Sequence, residues 1–128
     1  QMKVDLAPGW KTELDRGPDW LFVRLYGPDG DEADATGMAE SLCIMMHQEL
    51  KGRLLLELEH LYDMPQDFID ELIRLRAELE RQGGLLRMCG MTTEHVAVLQ
   101  QNDPTLHHTH YRDRHEAILG FYRPNKPR

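Results

Sequence analysis

Four histidines near the C-terminus are the side chains whose type and spacing most directly suggest chemistry. They are His107, His108, His110 and His115. If this segment is a strand, His108 and His110 share one face and His115 follows in the next helix, an arrangement in which imidazole nitrogens bind zinc or nickel. The sequence has no second cluster of ligands at matching spacing, and edge strands commonly carry polar residues because they face water. We therefore predict no metal site, and a small histidine-dependent metalloenzyme is the least favoured hypothesis.

Acidic residues around a proline form the second group with potential chemistry. Asp63, Asp67 and Asp70 lie close to Pro65 in the sequence. Two neighbouring carboxylates can act as acid and base, but this stretch offers neither a nucleophile nor a set of oxyanion donors. The chain also contains neither GxGxxG nor GxxxxGK[ST], the glycine-rich phosphate loops. Acidic residues in the first turn of a helix interact favourably with its dipole, so we expect a protein that is not an enzyme and needs no cofactor.

The same acidic residues lie at the junction between a predicted strand and a predicted helix. Residues 54–58 are short and apolar at consecutive positions, which is typical of a strand buried on both faces of a parallel sheet. In residues 68–79 the apolar side chains recur at helical spacing, with Asp70 and Glu71 pointing elsewhere. Ligands and partners of open α/β sheets meet the carboxyl ends of strands. Residues 60–67 are therefore the predicted functional end of the domain.

The rest of the chain alternates between strand and helix patterns. Turn residues at 16–19 separate two strand patterns and predict a hairpin. The predicted strands are 11–14, 20–26, 54–58, 85–89 and an edge strand at 106–111, and the predicted helices are about 36–50, 68–79, 93–101 and a terminal one that Asp113 and Glu116 begin. This order predicts a single α/β domain at 11–120 with a mostly parallel sheet of four or five strands, an N-terminal antiparallel hairpin and about four helices. Residues 1–10 and 121–128 are predicted tails.

Composition narrows the classes of partner. The chain has 128 residues, and 22 acidic against 15 basic side chains give a formal charge of -7, which disfavours nucleic acids and anionic membrane surfaces. No apolar run reaches the roughly 18 to 20 residues of a membrane-spanning helix. Cys43 and Cys89 are isolated thiols among apolar neighbours, as in reduced core cysteines. We expect a cytoplasmic protein that binds no nucleic acid and does not insert into membranes.

Two apolar features leave alternatives open. Met38, Met45 and Met46 recur at helical spacing, which favours a place in the core over an adaptable docking surface. Phe68 lies in the first turn of a predicted helix beside a loop, so its ring either seals the core or contacts a partner.

Four segments follow one another in an order and spacing that resemble a known family. They are the strand at 20–26 closing on Gly27, the run LLLELEHLYDM, the helix ending in RQGGLLRMCGM, and the final YRDRHEAIL. Together they resemble the STAS domain, the family of sulfate transporters and anti-sigma factor antagonists. The resemblance covers residues 11–120 and depends on the register of the whole stretch.

The resemblance implies a regulatory function. Antagonists of this family bind a serine-kinase anti-sigma factor through its ATPase-like domain and release the sigma factor. Phosphorylation of a serine at the start of the second helix, commonly the second serine of Asp-Ser-Ser-Gly, switches them off. Counting without gaps from LEL places Pro65, Gln66, Asp67 and Phe68 there. Asp67, at the acceptor position, has no hydroxyl, and Phe68 adds bulk where the family's glycine lets a partner approach.

The implied protein is a non-enzymatic interaction module that binds an ATPase-like anti-sigma kinase without phosphorylation at the usual position. The predicted contact residues lie at the strand-to-helix junction, with the loop at 27–34 beside them. They are Asp63, Met64, Gln66, Asp67 and Phe68. An alternative of the same family is a STAS subunit that docks on the ATPase of an ABC-type lipid transporter.

Overall fold

The computed structural model describes residues 2–120, which form one six-stranded mixed sheet and five helices. The strands are β1 (Val4–Ala7), β2 (Trp10–Arg16), β3 (Trp20–Gly27), β4 (Arg53–Leu61), β5 (Leu85–Cys89) and β6 (His110–Tyr111). The helices are α1 (Met38–Gln48), α2 (Gln66–Arg81), α3 (Thr93–Asn102), α4 (Pro104–His107) and α5 (Arg114–Leu119). None of these helices is long and apolar enough to cross a membrane.

The strands lie in the sheet in the order in which they occur in the chain. The first three pair antiparallel, because short turns connect them, and β3 to β6 pair parallel, because a helix crosses over between successive strands. The predicted α/β class, the antiparallel hairpin and the parallel sheet are confirmed. The described residues contain six strands and five helices, whereas we predicted four or five strands and about four helices.

The main core lies between the sheet and α1, α2 and α3. In β4, Leu54, Leu55 and Leu56 are all fully buried, as predicted for a strand covered on both faces. Met38 and Met46 of α1 are also buried, and the partly buried Met45 packs against the same core, which confirms the core interpretation of the methionines.

A smaller cluster occupies the opposite face of the sheet, under α5. Trp20, Phe22 and Tyr111 are its aromatic members. Arg114 of α5 places its guanidinium 4.0 Å from the centre of the Phe22 ring and donates to both carboxylate oxygens of the buried Glu57. One arginine thus holds the short helix on the sheet through charge and ring contact together.

The N-terminal boundary predicted from the sequence is wrong. Residues 1–10 were predicted as a tail, but Val4–Ala7 form a strand and Trp10 is buried in the core. A four-residue edge strand with exposed side chains has too little apolar alternation to be recognised in a sequence. The predicted tail at 121–128 lies outside the described residues and stays a prediction.

The predicted edge strand at 106–111 is wrong over most of its length. Leu106 and His107 belong to α4, and only the buried pair His110–Tyr111 extends the sheet. Asp103 is the N-cap of α4, and its carboxylate stabilises the helix by accepting hydrogen bonds from the backbone N–H groups of Thr105 and Leu106. Pro104 then occupies the first helical turn, where its missing N–H costs nothing.

Candidate functional site

The carboxyl ends of β3 and β4 bring two loops together, residues 28–37 and 62–65. The backbone N–H of Tyr62 donates to the carbonyl of Gly27 over 2.7 Å. The β1–β2 turn packs on the first of these loops at Gly9, where a Cβ atom would lie 2.5 Å from that of Ala33. Gly9 also has a φ of 77°, which favours glycine. The predicted functional end is thus a contact region of three chain segments.

The polar side chains of this region form what we call the strand-end surface. Its members are Asp29, Asp31, Glu32, Asp34, Tyr62, Asp63, Gln66 and the half-buried Asp67. The sequence has neither lysine nor arginine in 27–37 or in 60–70, so the surface is strongly acidic. The backbone N–H and the hydroxyl of Thr36 lower the pKa of Asp34, which keeps that carboxylate charged.

Asp67 is held at this surface by two backbone donors. One carboxylate oxygen accepts from the N–H of Ala35 over 3.0 Å, and the other accepts from the N–H of Phe68 over 2.8 Å. Ala35 is fully buried just before α1, so its N–H has lost access to water and depends on Asp67. The carboxylate therefore connects the start of α2 to the loop that precedes α1.

Glu71 repeats this connection one turn later. Its carboxylate accepts from the N–H of Ala39 in the first turn of α1 over 2.8 Å and pairs with Arg74. Only 4% of Glu71 is exposed, so the prediction that it points away from the core is wrong. The reason lies in α1, whose N-cap Gly37 has no side chain to satisfy the first N–H groups. We call Asp67 and Glu71 the carboxylate clamp, since from α2 they supply acceptors to the loop before α1 and to the first turn of α1.

Replacing Asp67 with alanine should lower the free energy of unfolding by about 1 to 3 kcal/mol, because the buried N–H of Ala35 then has no hydrogen-bond acceptor. Urea unfolding monitored by circular dichroism measures this. Asp70→Ala is the matched control, since Asp70 lies in the same first turns but, within residues 2–120, its carboxylate accepts a hydrogen bond from Gln66 of its own helix and none from another element. An equal loss in the two variants would show that the helix dipole, and not the clamp, accounts for Asp67.

Phe68 and Met64 are buried beneath the strand-end surface. The Phe68 ring is fully buried and stacks on Trp10, with ring centroids 4.6 Å apart and an angle of 20° between the planes. The alternative in which this ring seals the core is therefore the one found. Phe68 and Met64 are thus buried in this conformation, whereas Asp63 and Gln66 are exposed. That these four residues contact a partner stays a prediction.

The histidines do not gather as the predicted strand would have placed them. His107 ends α4, His108 follows it, His110 begins β6 and His115 lies in α5. His110 is buried, its Nε2 accepts from the N–H of Met91 over 3.0 Å, and burial with the nearby His107 lowers the pKa of His110 to about 4. Within residues 2–120, no three histidine, cysteine, aspartate or glutamate side chains lie close enough together to hold a metal ion.

The two cysteines are buried free thiols, as expected of core cysteines. Burial raises the pKa of Cys89 to about 12, and it also raises the pKa of Cys43. Both thiols therefore stay protonated at neutral pH and are poor nucleophiles.

The sheet order, the crossover helices and the strand-to-helix junction define a STAS-like fold, which comparison with solved structures confirms. The unphosphorylated anti-sigma factor antagonist SpoIIAA matches with a TM-score of 0.64 and 14% identity over 87% of this chain and 98% of that one. The phosphorylated form of the Bacillus cell fate determinant SpoIIAA gives 0.63 and 17% over 84% and 96%. The protein TM1081, solved by NMR, gives 0.66 and 11% over 83% and 84%. No protein-family model matches the chain. No curated protein matches it in sequence.

Proposed function

We propose that this chain is a regulatory protein-interaction module that docks, through the strand-end surface, on the ATPase-like domain of an anti-sigma kinase and is not phosphorylated at position 67. One observation carries the proposal: the residue at the position of the family's phosphoacceptor is a carboxylate, and both of its oxygens accept backbone hydrogen bonds. The similarity to SpoIIAA supports a STAS regulatory module in general.

Asp67 lacks what phosphoryl transfer by a serine kinase needs. A serine kinase transfers the γ-phosphoryl group to a hydroxyl oxygen, whose proton a catalytic base accepts. The carboxylate of Asp67 has no such proton, and its oxygens are engaged with Ala35 and Phe68. It also carries about one negative charge, against the roughly -1.5 to -2 of phosphoserine. Position 67 therefore carries the single charge of an aspartate and does not alternate between an unphosphorylated and a phosphorylated state.

The charge of the strand-end surface indicates the kind of partner surface it fits. Its exposed carboxylates are not neutralised by any lysine or arginine in the two loops. A basic patch on the ATPase domain would be attracted to this surface, and the association rate would fall as salt is added. Tyr62, 64% exposed among the carboxylates, supplies the aromatic anchor that such interfaces favour.

Binding to each purified ATPase-domain anti-sigma kinase of the source organism tests this proposal. Tyr62→Ala should weaken the complex about tenfold or more, as the loss of an interfacial aromatic does. Asp63→Lys should slow association. Asp19→Lys, in the exposed turn between β2 and β3, is the matched control and should change neither. Equal effects of Asp19→Lys and Asp63→Lys would contradict the assigned surface, and binding to the ATPase of an ABC-type transporter in place of a kinase would select the alternative function.

A further inference from the structure

The turn between β1 and β2 holds the loop at 28–37, which we call the acidic loop, through backbone hydrogen bonds. The N–H of Asp29 donates to the carbonyl of Gly9 over 2.9 Å. The N–H of Asp34 donates to the carbonyl of Pro8 over 2.8 Å. The turn thus fixes both ends of a stretch that carries every carboxylate the acidic loop supplies to the strand-end surface.

The turn and the acidic loop pack so closely that no side chain fits at position 9. A Cβ atom on Gly9 would lie 2.6 Å from the carbonyl oxygen of Asp29 and 2.8 Å from the Cα atom of Ala33. Both distances are far shorter than the roughly 3.5 to 4.0 Å at which carbon atoms pack, and both involve backbone atoms. Any side chain at position 9 must therefore move the loop away from the turn. The turn itself is anchored, because Trp10 follows it and stacks on Phe68.

We propose that the β1–β2 turn positions the acidic loop for docking, so that Gly9 determines the affinity for a partner although it is not a member of the strand-end surface. The inference rests on the proposed docking function. A loop that is already held in its bound conformation loses less conformational entropy on binding. A loop released from the turn keeps its charges but has to be ordered by the partner, which weakens the complex.

The turn and the carboxylate clamp hold different parts of the acidic loop. Asp67 accepts from the N–H of Ala35, directly before α1, whereas the turn holds residues 29–34. A change in the turn should therefore loosen the amides of Asp29 and Asp34 and leave that of Ala35 protected.

Gly9→Ala tests the positioning role without altering a charge. Gly83→Ala is the matched control, because Gly83 has almost the same φ, 80° against 77°, but a Cβ atom there would meet nothing within 4 Å. The strain of an alanine in the left-handed region is thus common to both variants. Gly83 lies between α2 and β5, at the opposite end of the parallel strands from the strand-end surface.

Amide hydrogen exchange followed by NMR measures the loop directly and needs no partner. In Gly9→Ala the amides of Asp29 and Asp34 should exchange about tenfold faster or more, whereas Gly83→Ala should leave them as in the wild type. The amides of β4 report global unfolding and separate a loosened loop from a general loss of stability. Unchanged exchange in Gly9→Ala, or a wild type in which these two amides are unprotected, would overturn the positioning role.

Binding to the anti-sigma kinase tests the consequence for affinity. Gly9→Ala should bind about tenfold more weakly through faster dissociation, and the salt dependence of its association rate should stay unchanged because no charge is altered. Gly83→Ala should bind as the wild type does. A loosened loop with unchanged affinity would overturn the effect of Gly9 on docking. A wild type that binds none of the kinases would overturn the docking function and with it the effect on affinity, whereas the exchange experiment would still show whether the turn positions the loop.

Discussion

Replacing Phe68 with alanine should destabilise the protein by about 3 to 5 kcal/mol, the loss typical of a large aromatic removed from a core. Phe68 is fully buried and stacks on Trp10, of which only 1% is exposed. The space around this pair is tight, since a Cβ atom on Gly27 would come within 2.9 Å of the Trp10 ring. Alanine would therefore leave a cavity between α2 and β2 that neighbouring side chains cannot fill.

The midpoint of urea unfolding measures this loss. Phe68→Leu is the control, because it retains most of the apolar volume and should cost clearly less. An alanine variant as stable as the wild type would show that the ring is not part of the core. In that case the discarded alternative, a ring that contacts a partner, would become the better interpretation.

Acid should destabilise the protein through His110 by up to about 3 kcal/mol. The pKa of His110 is about 4 in the folded protein, because burial and the nearby His107 disfavour the imidazolium, and the ordinary value is 6.5. At a pH between these two values, His110 is protonated in the unfolded chain and neutral in the folded chain. The contribution of His110 to stability is therefore complete above pH 6.5 and is lost as the pH falls toward 4.

Unfolding in urea at about pH 7 and about pH 5 reveals this dependence. His110→Gln should flatten it, because the glutamine amide keeps an acceptor for the N–H of Met91 but does not titrate. His47→Gln, at an exposed histidine, is the control and should leave the pH dependence as in the wild type. A dependence unchanged in His110→Gln would contradict a neutral, buried His110.

The central part of the fold was predictable because its signals are local. The consecutive apolar residues of β4 and the helical spacing in α2 depend on side chains close together in the sequence, and both elements were predicted. The ends of these elements were not predicted correctly, since β4 extends to Leu61 and the predicted strand ended at residue 58. Elements fixed by other forces were missed: β1 is too short to show alternation, and α4 exists because Asp103 caps it.

The candidate site was predictable in position but not in its contacts. Comparison of register placed Asp67 at the start of the second helix, which is where it lies. Its bond to Ala35 joins residues 32 positions apart, so no local pattern indicates it. Glu71 shows the same limit more sharply. A glutamate on a helix is ordinarily solvated. Glu71 is buried because the N-cap of α1, Gly37, has no side chain to accept from the first N–H groups of that helix.

The clamp also changes what a serine at position 67 would mean in this chain. Serine is shorter by one atom and has a single oxygen, so it could not hold Ala35 and Phe68 in the way that both carboxylate oxygens do. A hydroxyl introduced here should therefore loosen the loop before α1 as well as offer an acceptor for phosphate. Stability and phosphorylation have to be measured on the same Asp67→Ser sample to separate the two effects.

The most direct test of the proposed function measures partner binding and phosphorylation together. The wild-type chain is incubated with ATP and each ATPase-domain anti-sigma kinase of the source organism, the complex is titrated, and the intact mass of the chain is then determined. We predict a stoichiometric complex with one of these kinases and no added phosphate. Stoichiometric phosphorylation elsewhere on the same loop, at Tyr62 for example, or the absence of a complex with every one of these kinases, would contradict a docking module that is not controlled by phosphorylation.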